Sequence, residues 1–217
     1  MTDPPNEPHQ PQLTVGARRA LPHWLLEGLF IVISVALGFG VAQFGEYRSN
    51  RDLARQALTS LQSEMETNLA LLEPLVPIHR RWSNALRTAD TSNAAQSGLD
   101  ILFATRPPLP AKSPPFPVLR RSAWDAAVSS GAVRFIDYSI AEALSEIYRA
   151  QEIATSNVDR LANGALTTPA TFDPANRASA VRLLWLTIED IAVAEANLLD
   201  LYQRHLPAIR AAVAAAS

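Results

Sequence analysis

The chain has 217 residues, 48% of them hydrophobic and 18% charged, with 19 Lys and Arg against 21 Asp and Glu and no cysteine. So even a charge balance offers no basic footprint for nucleic acid, and the lack of cysteine excludes disulfides, thiol catalysis and thiolate metal ligands. Once a polar tail and one apolar span are set aside, the remainder suffices for one domain of ordinary size.

Residues 1–20 carry Pro4, Pro5, Pro8 and Pro11 among polar neighbours, with too few apolar groups to offset the entropy of ordering. A disordered tail is expected. Residues 21–45 follow as a transmembrane helix, whose apolar run 25–44 reads LLEGLFIVISVALGFGVAQF and has Glu27 as its only charge. Twenty residues at about 1.5 Å each reach about 30 Å, the thickness of bilayer hydrocarbon. A cleaved signal peptide would have a shorter apolar region and a small-residue cleavage site, whereas Ala42 leads into Gln43, Phe44 and Gly45. A buried soluble helix would show a polar stripe, and between Leu29 and Ala42 the only polar side chain is Ser34. Trp24 at one end and Phe44 and Tyr47 at the other read as interfacial anchors, with Glu27 close enough to Trp24 to reach the headgroups. Ser34, Gly38 and Ala42 recur every four residues. This spacing lets a second helix approach closely, although glycine is also simply common in membrane helices.

Arg18 and Arg19 precede the span and Arg48, Arg51 and Arg55 follow it, a count that leans slightly towards a cytoplasmic C-terminal side. Long following domains translocate largely regardless of charge, so a signal-anchor in the inner membrane with a periplasmic domain is the preferred arrangement.

Residues 46–217 read as a helical bundle. Helix continues through 46–73, which lack Pro and Gly and place Leu58, Leu61, Met65, Leu69 and Leu72 on one face. Pro74 and Pro77 interrupt it before a short helix over 78–89 with Trp82 and Leu86; a turn or two follows at 100–104. The six prolines within about 105–118 forbid helix and predict an extended crossover. A helix over 119–130 ends near Gly131. The next, over 139–163, is capped by Ser139 with Glu142 three residues on and stopped at Asn163–Gly164. Asp173–Pro174 opens the last, over 174–206, which Pro207 bends or ends. No segment alternates with period two, so the fold class is all-α: one N-terminal transmembrane helix running into an extramembrane bundle. Trp82, Trp124 and Trp185 fall on or beside apolar stripes and are expected to supply core bulk.

The opening LLEGLFIVISVALGFGVAQFGEYRSNRDLARQALTSLQSEMETNL resembles the start of an uncharacterised family of bacterial single-span membrane proteins. An acidic residue leads the span, a Gln and an aromatic close it, and a charged helix follows. The later SAWDAAVSSGAVRFIDYSIAEALSEIY is similar to that family's second recurring segment, so the likeness covers most of residues 24–150. The chain departs from the pattern at Phe44, where Trp is common, and at Ala127 and Val128, where a bulkier aliphatic often sits. The resemblance implies a span plus a helical domain and brings no activity with it.

His9, His23, His79 and His205 show no paired ligand spacing and read as surface residues. No nucleophile elbow or phosphate-binding loop is present; Gly38 and Gly40 lie within the apolar run, and Glu189 and Asp190 point apart on a helix. No catalytic, cofactor-binding or metal site is therefore expected. The partners implied are the lipid bilayer, a second copy of the span and an unidentified protein. Two functions fit: a membrane-anchored interaction or scaffolding protein, and a sensor-like bundle whose ligand pocket acts on the span.

Overall fold

The computed structural model describes residues 23–111 and 114–216, which form helices and turns with no strand among them. The expected disordered tail at 1–20 lies outside the described residues. Among the described residues seven α-helices run in order: α1 (His23–Leu72), α2 (Val76–Arg87), α3 (Gly98–Thr105), α4 (Ser122–Ser129), α5 (Tyr138–Arg160), α6 (Pro169–Phe172) and α7 (Arg177–Ala216). The chain divides into two units, Met1–Tyr47 and Arg48–Ser217.

In the first unit the described residues belong to α1, and its large apolar side chains are exposed all around the helix, from 47% at Ile33 to 74% at Phe30 and Val41. This helix is long and apolar enough to cross a bilayer, and none of its apolar window is buried by protein.

The second unit has two cores that share α7. One joins Leu58, Leu61, Met65 and Leu72 of α1 to Leu144 and Ile147 of α5 and to Leu198, Tyr202, Leu206 and Ile209 of α7. The other sets Trp82 and Leu86 of α2 and Ile101 and Leu102 of α3 against Val181, Leu184, Ile188 and Ile191 of α7. Each such aliphatic chain taken fully out of water contributes about 1.5–3 kcal/mol. The two stripes lie end to end along α7, which explains its 40 residues. At Gly98 an added Cβ would stand 2.5 Å from the Cβ of Ala180, so the missing side chain lets α3 lie directly against α7.

Local chemistry sets the breaks. Pro74 follows the end of α1, and Pro77 sits in the first turn of α2, where no helical N–H is required of it. Trp82 is buried in the second core, whereas Trp124 and Trp185 are half-buried and pack against the two clusters. α3 makes two turns and starts two residues ahead of the expected 100–104, because Ser97 and Asp100 form a reciprocal capping box. Gly131, with φ +73°, closes α4 and opens a short 3-10 turn.

Three expectations need correction. Ser139 does not cap α5. Asp137 does, accepting from the Ser139 N–H at 2.9 Å and from its hydroxyl at 2.6 Å, so Ser139 is consumed as a donor and makes no box with Glu142. Asn163 and Gly164 do not stop the helix; the ladder widens into a π turn over Leu161–Ala165, closed by Leu166 N–H to the Leu161 carbonyl at 3.0 Å. Pro207, expected to bend or end the last helix, does not end it. Helix begins at Arg177, after a 3-10 turn capped by Asp173, and runs to Ala216. Gln203 and Pro207 are on the exposed face, where water can satisfy the carbonyl the proline leaves unbonded. Leu206 and Ile209 bury the other face, and Arg210 beyond the proline pairs with Glu66 of α1 at 2.8 Å. That guanidinium holds the Glu66 carboxyl below its usual range.

Candidate functional site: a crossover tied to the bundle by buried polar groups

A helical bundle buries polar groups only where they find partners, and this one concentrates them under the proline-rich crossover between α3 and α4. The first tie starts at Asn68 of α1, which is fully buried. Its carbonyl oxygen accepts the Arg120 backbone N–H at 2.8 Å, and its amide donates to the Arg120 carbonyl at 2.7 Å. Gln151 of α5 donates to that same carbonyl at 2.8 Å and accepts from the Tyr202 hydroxyl of α7 at 3.0 Å. One turn earlier on α1, Glu64 accepts the Ser122 hydroxyl and the Ala123 N–H, both at 2.9 Å, and the Tyr148 hydroxyl at 2.8 Å. Trp124 stacks on Tyr148, with ring centroids 4.9 Å apart.

The second tie is His79 of α2, whose ring is wholly buried. Its Nε2 lies 2.7 Å from the Pro115 carbonyl and its Nδ1 lies 2.5 Å from Glu195 Oε2 on α7. Since the carbonyl can only accept, Nε2 carries a hydrogen, and a second proton sits between Nδ1 and the carboxylate. Phe116 of the crossover covers the imidazole at 5.0 Å and stacks on Trp82 at 6.1 Å, while the Trp82 indole donates to the Leu102 carbonyl. A neighbouring bond joins the Ser83 hydroxyl to Glu189 at 2.5 Å. This corrects the expectation of a surface histidine at 79. The pair lies behind a layer of rings and ties the crossover to α2 and α7. His205 is half-buried and 3.4 Å from Glu146 without hydrogen-bond alignment; His9 and the His23 side chain lie outside the described residues.

Burial pushes the Tyr148 phenol well above the ordinary tyrosine range, aided by its hydrogen bond to Glu64, and burial raises Tyr202 too. Below about pH 10 both folded and unfolded chains hold these protons; above it the unfolded chain releases two that the folded protein keeps. Stability should therefore fall above about pH 10 by about 1.4 kcal/mol per pH unit for each buried tyrosine. Denaturant unfolding across this range should show about half that dependence in Tyr148→Phe, and an unchanged slope would exclude Tyr148 as its source.

The residues singled out in the span stay in the first unit and take no part in these ties. Ser34 donates to the Phe30 carbonyl at 2.8 Å, and a Cβ at Gly38 would meet nothing within 4 Å. The Ala42 side chain lies outside the described residues, so the third member of the spacing is not placed. Trp24, Glu27, Phe44 and Tyr47 are exposed.

An open groove of about 690 Å³ runs between α1 and α4, lined mostly by small side chains such as Ala57, Ser60, Ser63 and Ala126, with Glu64 at its floor. Among the described residues no group of three or more His, Asp or Glu is placed to hold a metal ion. Fold and site together define an all-α protein whose long crossover is fastened by buried polar side chains. No family model, curated protein or solved structure matches the chain.

Proposed function

We propose that the chain is a membrane-anchored interaction or scaffolding protein of the inner membrane, crossing once through 25–44 with its helical domain on the periplasmic side. The observation that carries this reading is the apolar run whose large side chains are exposed in every direction around α1. No monomeric soluble domain gains by presenting such a surface to water. Lipid supplies the solvent it needs, and the open space over Gly38 supports a second copy of the span as neighbour. Scaffolding is favoured over ligand sensing because the domain interior is filled by large side chains such as Leu61, Met65, Leu184 and Tyr202, and its polar groups are engaged in ties between helices.

The absence of native cysteine gives a clean test, since any introduced thiol is unique. In native membranes the chain should resist carbonate extraction. Ser34→Cys and Gly38→Cys should form disulfide dimers under mild oxidation, and Ala36→Cys, on the opposite side of the helix, should not. Release by carbonate would end the membrane reading. A C-terminal reporter active only in the cytoplasm would reverse the orientation. Equal crosslinking at all three positions would remove the self-association face, and with no partner captured from the domain either, scaffolding would be abandoned.

A further inference from the structure

Arg48, Arg51 and Arg55 recur on α1 at the spacing of one helical face and are all exposed. They line a cleft of about 530 Å³ that has partly apolar walls: Phe135 and Ile136 ahead of α5, and Ala212 near the end of α7. Two carboxylates share the lining, Asp52 and Asp137, so three guanidiniums against two carboxylates leave one net positive charge. Asp137 is engaged as the cap of α5 through Ser139. Arg48 is the fourth residue after Phe44, so the chain cannot carry it more than about 14 Å from the end of the apolar run.

We infer that this cleft seats the headgroup of an anionic phospholipid, an inference that rests on the membrane reading above. A phosphodiester carries one negative charge, which matches the excess. Guanidinium is the side chain best suited to grip it through paired N–H donors. The apolar walls suit the glycerol and the first methylenes of an acyl chain, which a free phosphate ester does not have. Basic pockets at membrane helices bind anionic lipid headgroups.

The test uses the full chain in dodecyl maltoside, observed by native mass spectrometry with dioctanoyl phosphatidylglycerol, dioctanoyl phosphatidylcholine or glycerol phosphate added. Phosphatidylglycerol should bind in preference to phosphatidylcholine. The double variant Arg51→Gln/Arg55→Gln should weaken it on the order of thirtyfold, the loss of two arginine contacts to one phosphate, while leaving phosphatidylcholine unchanged. Arg87→Gln/Arg182→Gln makes the same change of net charge at exposed positions elsewhere and should have no effect. Equal binding of the two lipids, an equal loss in both double variants, or glycerol phosphate binding as tightly as the lipid would each overturn the proposal. Carbonate extraction of the same variants keeps the two readings apart: a chain that washes out but still prefers phosphatidylglycerol refutes the anchor and leaves the cleft standing, and one that stays in the membrane without the preference does the reverse.

Discussion

Replacing Glu195 by alanine is expected to lower the stability of the helical domain by about 3–5 kcal/mol, the usual consequence of removing one member of a buried pair. The loss is large because His79 remains. Its ring is fully enclosed, and Nδ1 loses its Glu195 partner. For a domain of this size the melting temperature should fall on the order of 10 °C. Glu195→Gln keeps an oxygen within reach of Nδ1 and should cost less. The informative variant is the double replacement His79→Leu/Glu195→Leu. It removes both polar partners and fills the space, so it should be less destabilised than Glu195→Ala, forfeiting chiefly the bond to the Pro115 carbonyl. Thermal unfolding of the full chain in detergent, followed by tryptophan fluorescence, measures all three. A Glu195→Ala protein within about 1 kcal/mol of the parent would mean that the pair is not the fastening described here.

The other large effect is expected at Asn68. Asn68→Leu preserves volume but removes the acceptor for the Arg120 N–H and one of two donors to its carbonyl, and it leaves Gln151 with one partner fewer. One orphaned buried donor costs about 1–3 kcal/mol and each lost bond about 1 kcal/mol, so a total of about 2–4 kcal/mol is expected. Hydrogen exchange makes the assignment specific: the Arg120 amide should lose its protection even under conditions where the amides of α5 and α7 keep theirs. If the Arg120 amide exchanges at the parental rate in the variant, Asn68 does not hold it.

Much of this architecture is legible in the residues. The stripe Leu58, Leu61, Met65, Leu72 and the punctuation at Pro74, Gly131 and Asp173 place most of the helices to within a few residues. Boundaries are missed where two side chains compete for one backbone group, as Asp137 outcompetes Ser139, or where tertiary burial overrides a breaker, as Leu206 and Ile209 do at Pro207. The site was half visible. His79 lies on the same face of α2 as Trp82 and Leu86, and Glu195 continues the register of Ile188, Ile191 and Leu198, so a polar residue interrupts each apolar stripe. Periodicity thus marks both for burial. It cannot name their partners, because the pair lies 116 residues apart in sequence and the bonds from Glu64 to Tyr148 and from Asn68 to Gln151 span 84 and 83. Pairings over such distances depend on how the helices are stacked, which no local pattern encodes.

Both crossover ties grip main-chain atoms: the Pro115 carbonyl in one, and the Arg120 N–H and carbonyl in the other. The residues of the bundle that do the holding are therefore fixed by chemistry, while several of the residues being held are not. Any residue except proline could stand at position 120 and present the same two backbone groups to Asn68. The crossover is thus a segment whose course is set by the bundle but whose outward side chains are at liberty to diverge. That division of labour would let a surface change what it recognises without the fold that carries it having to change.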